Sequence, residues 1–302
     1  FCRLKFPEPE EGPSLVSQAT PRVLNTRRLP LIITLVVIGI ILGGFFLFAS
    51  LYTEVLWFDQ LGYLEVLLTN WSGTVAMFVI GFVAMFIPLW LAINLAYRFR
   101  PVYAKLSNEL DRYRQIIDPI RKVAMLGIPA LLGLFAGLGT AGTWPQFLLW
   151  MNREPFGRVD PEFGLDVGFY VFELPVFNSV IGFASTIVLL SAVGTVLTGF
   201  LYGAISLNGR ELRISRTMRI QLGIIGVIYF GVQAVNLWLQ QYVTLVSPSG
   251  GFLAFGAGFT EASATIPARA IMAGIAIVVA LLFLITAIIG RWRLAVIGTA
   301  LY

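Results

Sequence analysis

Six stretches of this 302-residue chain are too long and too apolar to be covered by a single water-soluble core. They run over about 30–52, 72–96, 121–142, 177–203, 218–239 and 267–290, and a seventh opens at Leu294. About 20 apolar residues in a helix cross the roughly 30 Å hydrocarbon core of a bilayer. In lipid, every backbone N–H and C=O must be satisfied within the protein, so the runs are predicted to be helices. None alternates apolar and polar residues as a barrel strand does. The fold class that follows is an all-α polytopic membrane protein, with six complete transmembrane helices and the start of a seventh. Composition points the same way: 12% of residues are charged and 58% hydrophobic, against roughly 25% charged in soluble domains.

The flanks of the runs set an orientation. Five bases lie before the first run, seven between the second and third, four between the fourth and fifth, and Arg291 and Arg293 after the sixth. The opposite connectors hold only Arg153 and Arg158, with Arg269 at the mouth of the sixth run. Short cytoplasmic loops carry the excess of Lys and Arg, so the N-terminus is predicted to be cytoplasmic. The domain plan is then a polar cytoplasmic tail over 1–29 and a helical domain over 30–302, with outer loops at 53–71, 143–176 and 240–266. The tail carries Pro7, Pro9, Pro13 and Pro21 with Glu8, Glu10 and Glu11, a composition that does not build a core. The first run is too long for the apolar region of a signal peptide and is expected to be retained. The chain opens on Phe1 rather than Met and stops at Tyr302 inside an apolar run, so further protein is expected beyond Tyr302.

The connectors carry local signals. Leu106, Leu110, Tyr113, Ile117 and Ile120 fall on one helical stripe, which predicts a helix lying on the inner membrane surface or against a partner. Asn208-Gly209 between short alternating segments is a hairpin-turn signal. Gly39/Gly43, Gly133/Gly137 and Gly199/Gly203 have the small-xxx-small spacing that lets helix backbones approach closely.

Several chemistries are excluded. The chain has no histidine and a single cysteine, Cys2, so imidazole catalysis, a Cys/His metal site and an intrachain disulfide are all unavailable. No phosphate-binding glycine loop, nucleophile elbow or zinc-protease motif occurs. The net charge of +5 resides in short loops beside apolar runs, which is an orientation signal, not a nucleic-acid groove. No catalytic, cofactor-binding or metal-binding residue is assigned. Asp160, Glu162 and Asp166 lack the further ligands of an EF-hand loop. Within the spans, the candidate polar groups are Asn94, Gln233 and Asn236. Gln233 and Asn236 share a helix face, and hydrogen bonding between helices accounts for them more simply than a transport path does. Arg269 is a cation at a helix start, a poor place by the helix dipole, and Glu261 is its expected ion-pair partner.

The longest polar-containing connector, TWPQFLLWMNREPFGRVDPEFGLDVGFYVFELPVF over 143–177, is the densest in motifs. Trp144, Phe147, Leu148 and Trp150 predict a short interfacial helix, and Asp160-Pro161 opens a turn. VGFYVF is apolar on both faces and is read as an element covered on both sides, by an absent domain or a partner. Trp144, Trp150, Asp160, Phe163, Asp166, Phe169, Tyr170 and Phe172 are the candidate docking residues.

QFLLWMNREPFG and DPEFGLDVGFYVFELP in this connector resemble the signature of the bacterial membrane family UPF0182. YTEVLWFDQLGY, NLAYRFRP, GAGFTEASATIPA and WRLAVIG are similar in turn, over about residues 25–302. The resemblance implies a bacterial plasma-membrane location and seven N-terminal spans followed by a large extracytoplasmic domain. It implies no activity. The functional expectation is a non-enzymatic scaffold, held in the lipid bilayer, that anchors extracytoplasmic domains and binds other membrane or envelope proteins. The rival is a transporter or lipid-handling protein with a groove near Asn94, Gln233 and Asn236.

Overall fold

The computed structural model of the chain describes residues 29–100, 121–208, 211–247, 256–290 and 292–302. Residues 1–28 of the predicted tail, the amphipathic stripe of 101–120, Gly209 of the turn signal and residues 248–255 of the glycine-rich stretch before the sixth span lie outside these residues. Eight α-helices are described: α1 (Leu29–Gln60), α2 (Leu64–Arg98), α3 (Arg121–Ala141), α4 (Trp144–Met151), α5 (Leu174–Leu201), α6 (Arg216–Val246), α7 (Ile266–Ile289) and α8 (Trp292–Leu301). One π-helical turn (Phe169–Glu173) leads into α5 and another (Glu261–Thr265) into α7. Six helical segments are long and apolar enough to cross a membrane, so the polytopic helical class stands.

Two boundaries differ from expectation. The first connector is almost entirely helical. α1 continues to Gln60 and α2 begins at Leu64, leaving a turn held by Gly62 N–H to Asp59 O and Tyr63 N–H to Phe58 O, both at 3.0 Å. Glu54, Asp59 and Glu65 interrupt the hydropathy, but nothing there interrupts the i to i−4 ladder, because no proline or paired glycines intervene. Likewise VGFYVF is not an extended element. Phe169–Glu173 is a π-turn continuous with α5, and Pro175 follows it two residues on.

The chain divides into two compact units, 1–67 and 68–302. The first holds α1 and the opening turn of α2. In the second, helices pack side by side through glycines. A Cβ at Gly133 of α3 would stand a tight 3.1 Å from Phe82 O of α2, and one at Gly137 would clash with Phe78 O at 2.7 Å. The rings of Phe78, Phe82 and Phe86 stack along the same α2 face at 6.4 and 5.7 Å. Gly194 of α5 lies against Leu89 and Ile93 of α2, and Gly199 lies under the Met218 side chain of α6. Gly223 and Gly226 of α6 admit Ala287 and Phe283 of α7, and Gly298 of α8 faces Val279 of α7. Of the three predicted pairs, Gly133/Gly137 packs at both positions. Gly199 packs, but Gly203 ends α5 with φ +73°. Among the described residues, nothing lies within 4 Å of a Cβ built at Gly39 or Gly43.

The predicted hairpin forms from β1 (Ile205–Asn208) and β2 (Glu211–Ile214), antiparallel with Ile205 opposite Ile214 and Asn208 opposite Glu211. Ser215 then caps α6, accepting from Met218 N–H at 3.3 Å. Next to the hairpin, Arg100 lies 4.0 Å from the Tyr97 ring centroid and 5.1 Å from that of Tyr202, and Arg121 lies 4.7 Å from that of Tyr97. The 68–302 unit thus has a hairpin end, where bases gather, and a loop end, where residues 152–168 cross between α4 and α5.

Candidate functional site: a loop closed by two aspartates

The loop's hub is Asp160. One carboxylate oxygen accepts from Glu162 N–H at 2.9 Å and Phe163 N–H at 2.7 Å. The other accepts from Leu165 N–H at 3.0 Å and the Tyr170 hydroxyl at 2.8 Å. Two oxygens offer about four lone-pair sites, and four donors occupy them. Asp160 also closes the turn through its backbone, with Gly164 N–H on its carbonyl at 3.1 Å and its own N–H on Leu165 O at 2.9 Å. Gly164 has φ +66°, a conformation that favours glycine.

Asp166 closes the other side. Its carboxylate accepts from Phe156 N–H (3.0 Å), Gly157 N–H (2.9 Å) and Gly168 N–H (2.7 Å). A single antiparallel bridge, Val159 to Asp166, joins the two halves. Burial alone would raise the Asp160 carboxyl, but the bonds from Phe163, Tyr170, Leu165 and Glu162 outweigh it and hold the group below the ordinary 3.8. The Phe156 and Gly168 N–H groups, foremost, hold Asp166 below its ordinary value as well. Hydrogen bonds to the charged form act in this direction. Both acids therefore order the backbone, and their oxygens point at chain N–H groups.

Aromatic side chains fix the loop to the bundle. Phe163 meets the Tyr242 ring of α6 edge-on at 4.7 Å, and Phe169 meets the same ring at 5.4 Å. Tyr170 and Leu174 are buried with Leu239 of α6, and Phe169, Phe177 and Tyr242 pack around them. Phe172 stacks on Phe156 of the loop at 5.7 Å. Phe169 and Phe172 are thus each packed on one side by residues of this chain and stay partly exposed. Trp144 opens α4 with its ring over Gly73 of α2, 3.0 Å from where a Cβ would stand. Trp150 accepts from Arg153 Nη1 through its carbonyl at 3.2 Å, and Arg153 pairs with Glu173 at 3.0 Å. That pair is half exposed and contributes less than about 1 kcal/mol.

The structure does not bring the intramembrane candidates into one groove. Gln233 of α6 donates to Ser185 Oγ of α5 at 2.9 Å, and Asn236 donates to Gln233 Oε1 at 3.2 Å. Asn94 follows Ile93, which packs on Gly194 of α5, nine residues and roughly 13 Å of helix rise from Ser185. Thr186 and Thr198 bond carbonyls of their own helix, and Thr195 accepts from Gln221.

Arg269 does not pair with Glu261. Its Nη1 donates to Gln240 O and Thr244 Oγ1 of α6. Eight residues separate Glu261 from Arg269, about 12 Å of rise, while α6 ends beside Arg269. A cation near the C-terminal turns of α6 meets the negative end of that helix dipole, which removes the difficulty of its place at the start of α7.

The sequence pattern missed several participants. Asp166 as a closing carboxylate, Tyr242 as the ring receiving the loop and Gly223/Gly226 as the tightest α6–α7 contact were not singled out. Only Gly223/Gly226, glycines three apart on an apolar face, had a readable signal.

These features define a polytopic helical membrane protein with a structured loop at one end of its bundle. The sequence profile of the uncharacterised protein family UPF0182 matches residues 31–302, and the chain belongs to that family. It is 52% identical to a UPF0182 protein of Clavibacter sepedonicus over 94% of this chain and 29% of the relative. It is 48% identical to one of Leifsonia xyli over 95% and 29%, and 40% identical to one of an Arthrobacter species over 94% and 28%. The chain thus spans less than a third of the length of these relatives. No solved structure matches it.

Proposed function

We propose that this chain is the membrane-embedded, non-enzymatic anchor of a larger bacterial plasma-membrane protein. Its N-terminus is cytoplasmic, and the loop end of its bundle is the platform on which extracytoplasmic protein rests. The observation that carries this reading is the loop itself. Its two aspartates accept hydrogen bonds from within the chain and its inner aromatics pack on α6, yet Phe156, Val159 and Val171 remain at least half exposed on it. A surface with an apolar rim, whose two aspartates are committed to bonds within the chain, suits docking better than catalysis. Gathering of Arg98, Arg100, Arg121, Arg216 and Arg219 at the hairpin end supports the orientation. The relatives, more than three times as long as the matched segment, have ample chain to sit on the platform. Internal bonding of Gln233, Asn236 and Ser185 leaves the rival transport path without a polar lining.

The test is a photo-crosslinking residue, p-benzoylphenylalanine, at Val159 of the full-length protein in its native membrane. Crosslinks to the remainder of the same chain or to an envelope protein are expected. Adducts to lipid alone would refute the platform.

A further inference from the structure

In the loop half of the bundle, α2, α3 and α5 diverge around a cleft of about 840 Å³. Its walls are mostly hydrocarbon, among them Met77, Ile80, Phe135, Phe147, Phe183 and Leu190. The hydroxyls within it are turned into the protein: Thr140 bonds Met77 O at 3.0 Å and Thr186 bonds Gly182 O at 3.0 Å. The mouth is different. Asn178 and Ser179 line it beside Thr143, and Ser179 bonds Pro175 O at 2.8 Å and Gln146 at 3.4 Å. Asn178 Oδ1 is buried there with no hydrogen-bond partner. A buried acceptor left without a donor is unfavourable.

Depth matters next. From Asn178 to Leu190 is twelve residues, roughly 18 Å of helix, close to one leaflet of a hydrocarbon core about 30 Å thick. The cleft is therefore about as long as one leaflet is thick. Its width is kept by glycines that serve no helix contact. A Cβ at Gly139 or Gly182 would meet nothing within 4 Å, whereas one at Gly137, a half-turn away, would strike Phe78 O at 2.7 Å. Small residues at Gly133 and Gly137 bring helices together; those at Gly139 and Gly182 leave space open.

We propose that this cleft is a lipid-binding site. It takes one acyl chain of a glycerophospholipid between α2, α3 and α5, and Asn178 Oδ1 accepts a hydrogen bond from an O–H or N–H of that lipid's polar part. Six spans put the cleft in hydrocarbon, where an apolar slot admits a chain and not water. Its gradient from polar mouth to apolar depth is that of a lipid. Among the described residues no charged side chain lines it, so recognition is through a donor and not through the phosphate charge. This inference stands apart from the platform reading and survives its failure.

The test uses full-length protein in nanodiscs containing phosphatidylethanolamine with a diazirine near the end of one acyl chain. Labelled peptides are identified by mass spectrometry. Labelling is expected to concentrate on 132–140 and 177–190. Gly182→Leu projects a side chain into the cleft, and Gly139→Leu does so from the opposite wall, should the first fail to fold. Either should lower that labelling about tenfold, the scale of changing a few methylenes in an apolar pocket. Gly231→Leu on α6, where a Cβ also meets nothing, should leave it unchanged. Asn178→Leu should keep the labelling but remove the preference for phosphatidylethanolamine over unlabelled phosphatidylcholine, which has no donor, in competition. Uniform labelling of all spans, labelling insensitive to both glycine variants, or crosslinks joining two copies through 132–140 would overturn the proposal.

Discussion

Asp160→Asn changes a single atom of the loop's hub and its charge. In the wild type, one oxygen receives Glu162 and Phe163 N–H and the other receives Leu165 N–H and Tyr170 O–H. An Asn amide keeps one acceptor and turns the other position into an NH2 donor. The Tyr170 hydroxyl can rotate and accept from that NH2. Leu165 N–H cannot rotate and is left facing a donor, which costs about 1–3 kcal/mol, and the remaining bonds lose the extra strength of a charged acceptor. The sum is roughly 3 kcal/mol of local stability, or about a hundredfold in the opening equilibrium. Amide hydrogen exchange in nanodiscs reads local opening directly. Exchange of the 156–168 peptide should accelerate by about that factor, while peptides of α6 and α7 keep their protection. Tyr170→Phe removes one bond and should accelerate the same peptide about tenfold. If Asp160→Asn changes exchange less than about threefold, the carboxylate is not what closes the loop, and the reasoning from its four donors fails.

Three other outcomes follow from the same geometry. Because Asp160 is held below its ordinary 3.8, its contribution is complete above that value and is lost only as pH falls through the lower folded pKa; carbon NMR of the Asp160 carboxyl should show a midpoint below 3.8, and a midpoint at or above it would contradict the bonding. Gly226→Ala places a methyl into the Phe283 ring and should lower thermal stability by about 1–3 kcal/mol, the scale of overpacking, whereas Gly139→Ala should be tolerated; equal effects would refute the packing of α6 on α7. Arg269→Leu leaves Gln240 O and Thr244 without their charged donor and should destabilise by about 2 kcal/mol, while Glu261→Gln should change stability by less than about 0.5 kcal/mol; the reverse ranking would restore the Arg269–Glu261 pair.

Much of this architecture was legible because lipid allows so few backbone solutions. The six spans, the short helix at Trp144 and the hairpin around Asn208 follow from run length, aromatic spacing and turn chemistry. Helix ends were less legible. Glu54, Asp59 and Glu65 lower hydropathy without breaking hydrogen bonding, so α1 and α2 extend past the point where apolar character stops. The run 167–172 could be a buried strand or a helix start by composition alone. The single-residue excess of the π-turn ahead of Pro175 leaves no pattern to read. In the loop, Asp160-Pro161 signalled a turn, but its partners Tyr170 and Leu165 are known only once the chain closes. Asp166 reaches back ten residues to Phe156, beyond any local rule. For Arg269, the acceptors lie on a neighbouring helix, and a nearby acid in sequence was a poor guide to them.

The platform reading depends most on which side of the membrane the loop end faces. Single cysteines at Asn152 and at Asn208, each in a full-length protein with Cys2 and any other native cysteine replaced by Ser, can be probed in intact cells with a membrane-impermeant maleimide. The account predicts labelling at 152 in intact cells and at 208 only after permeabilisation. Labelling at 208 in intact cells, with 152 protected until permeabilisation, would contradict it.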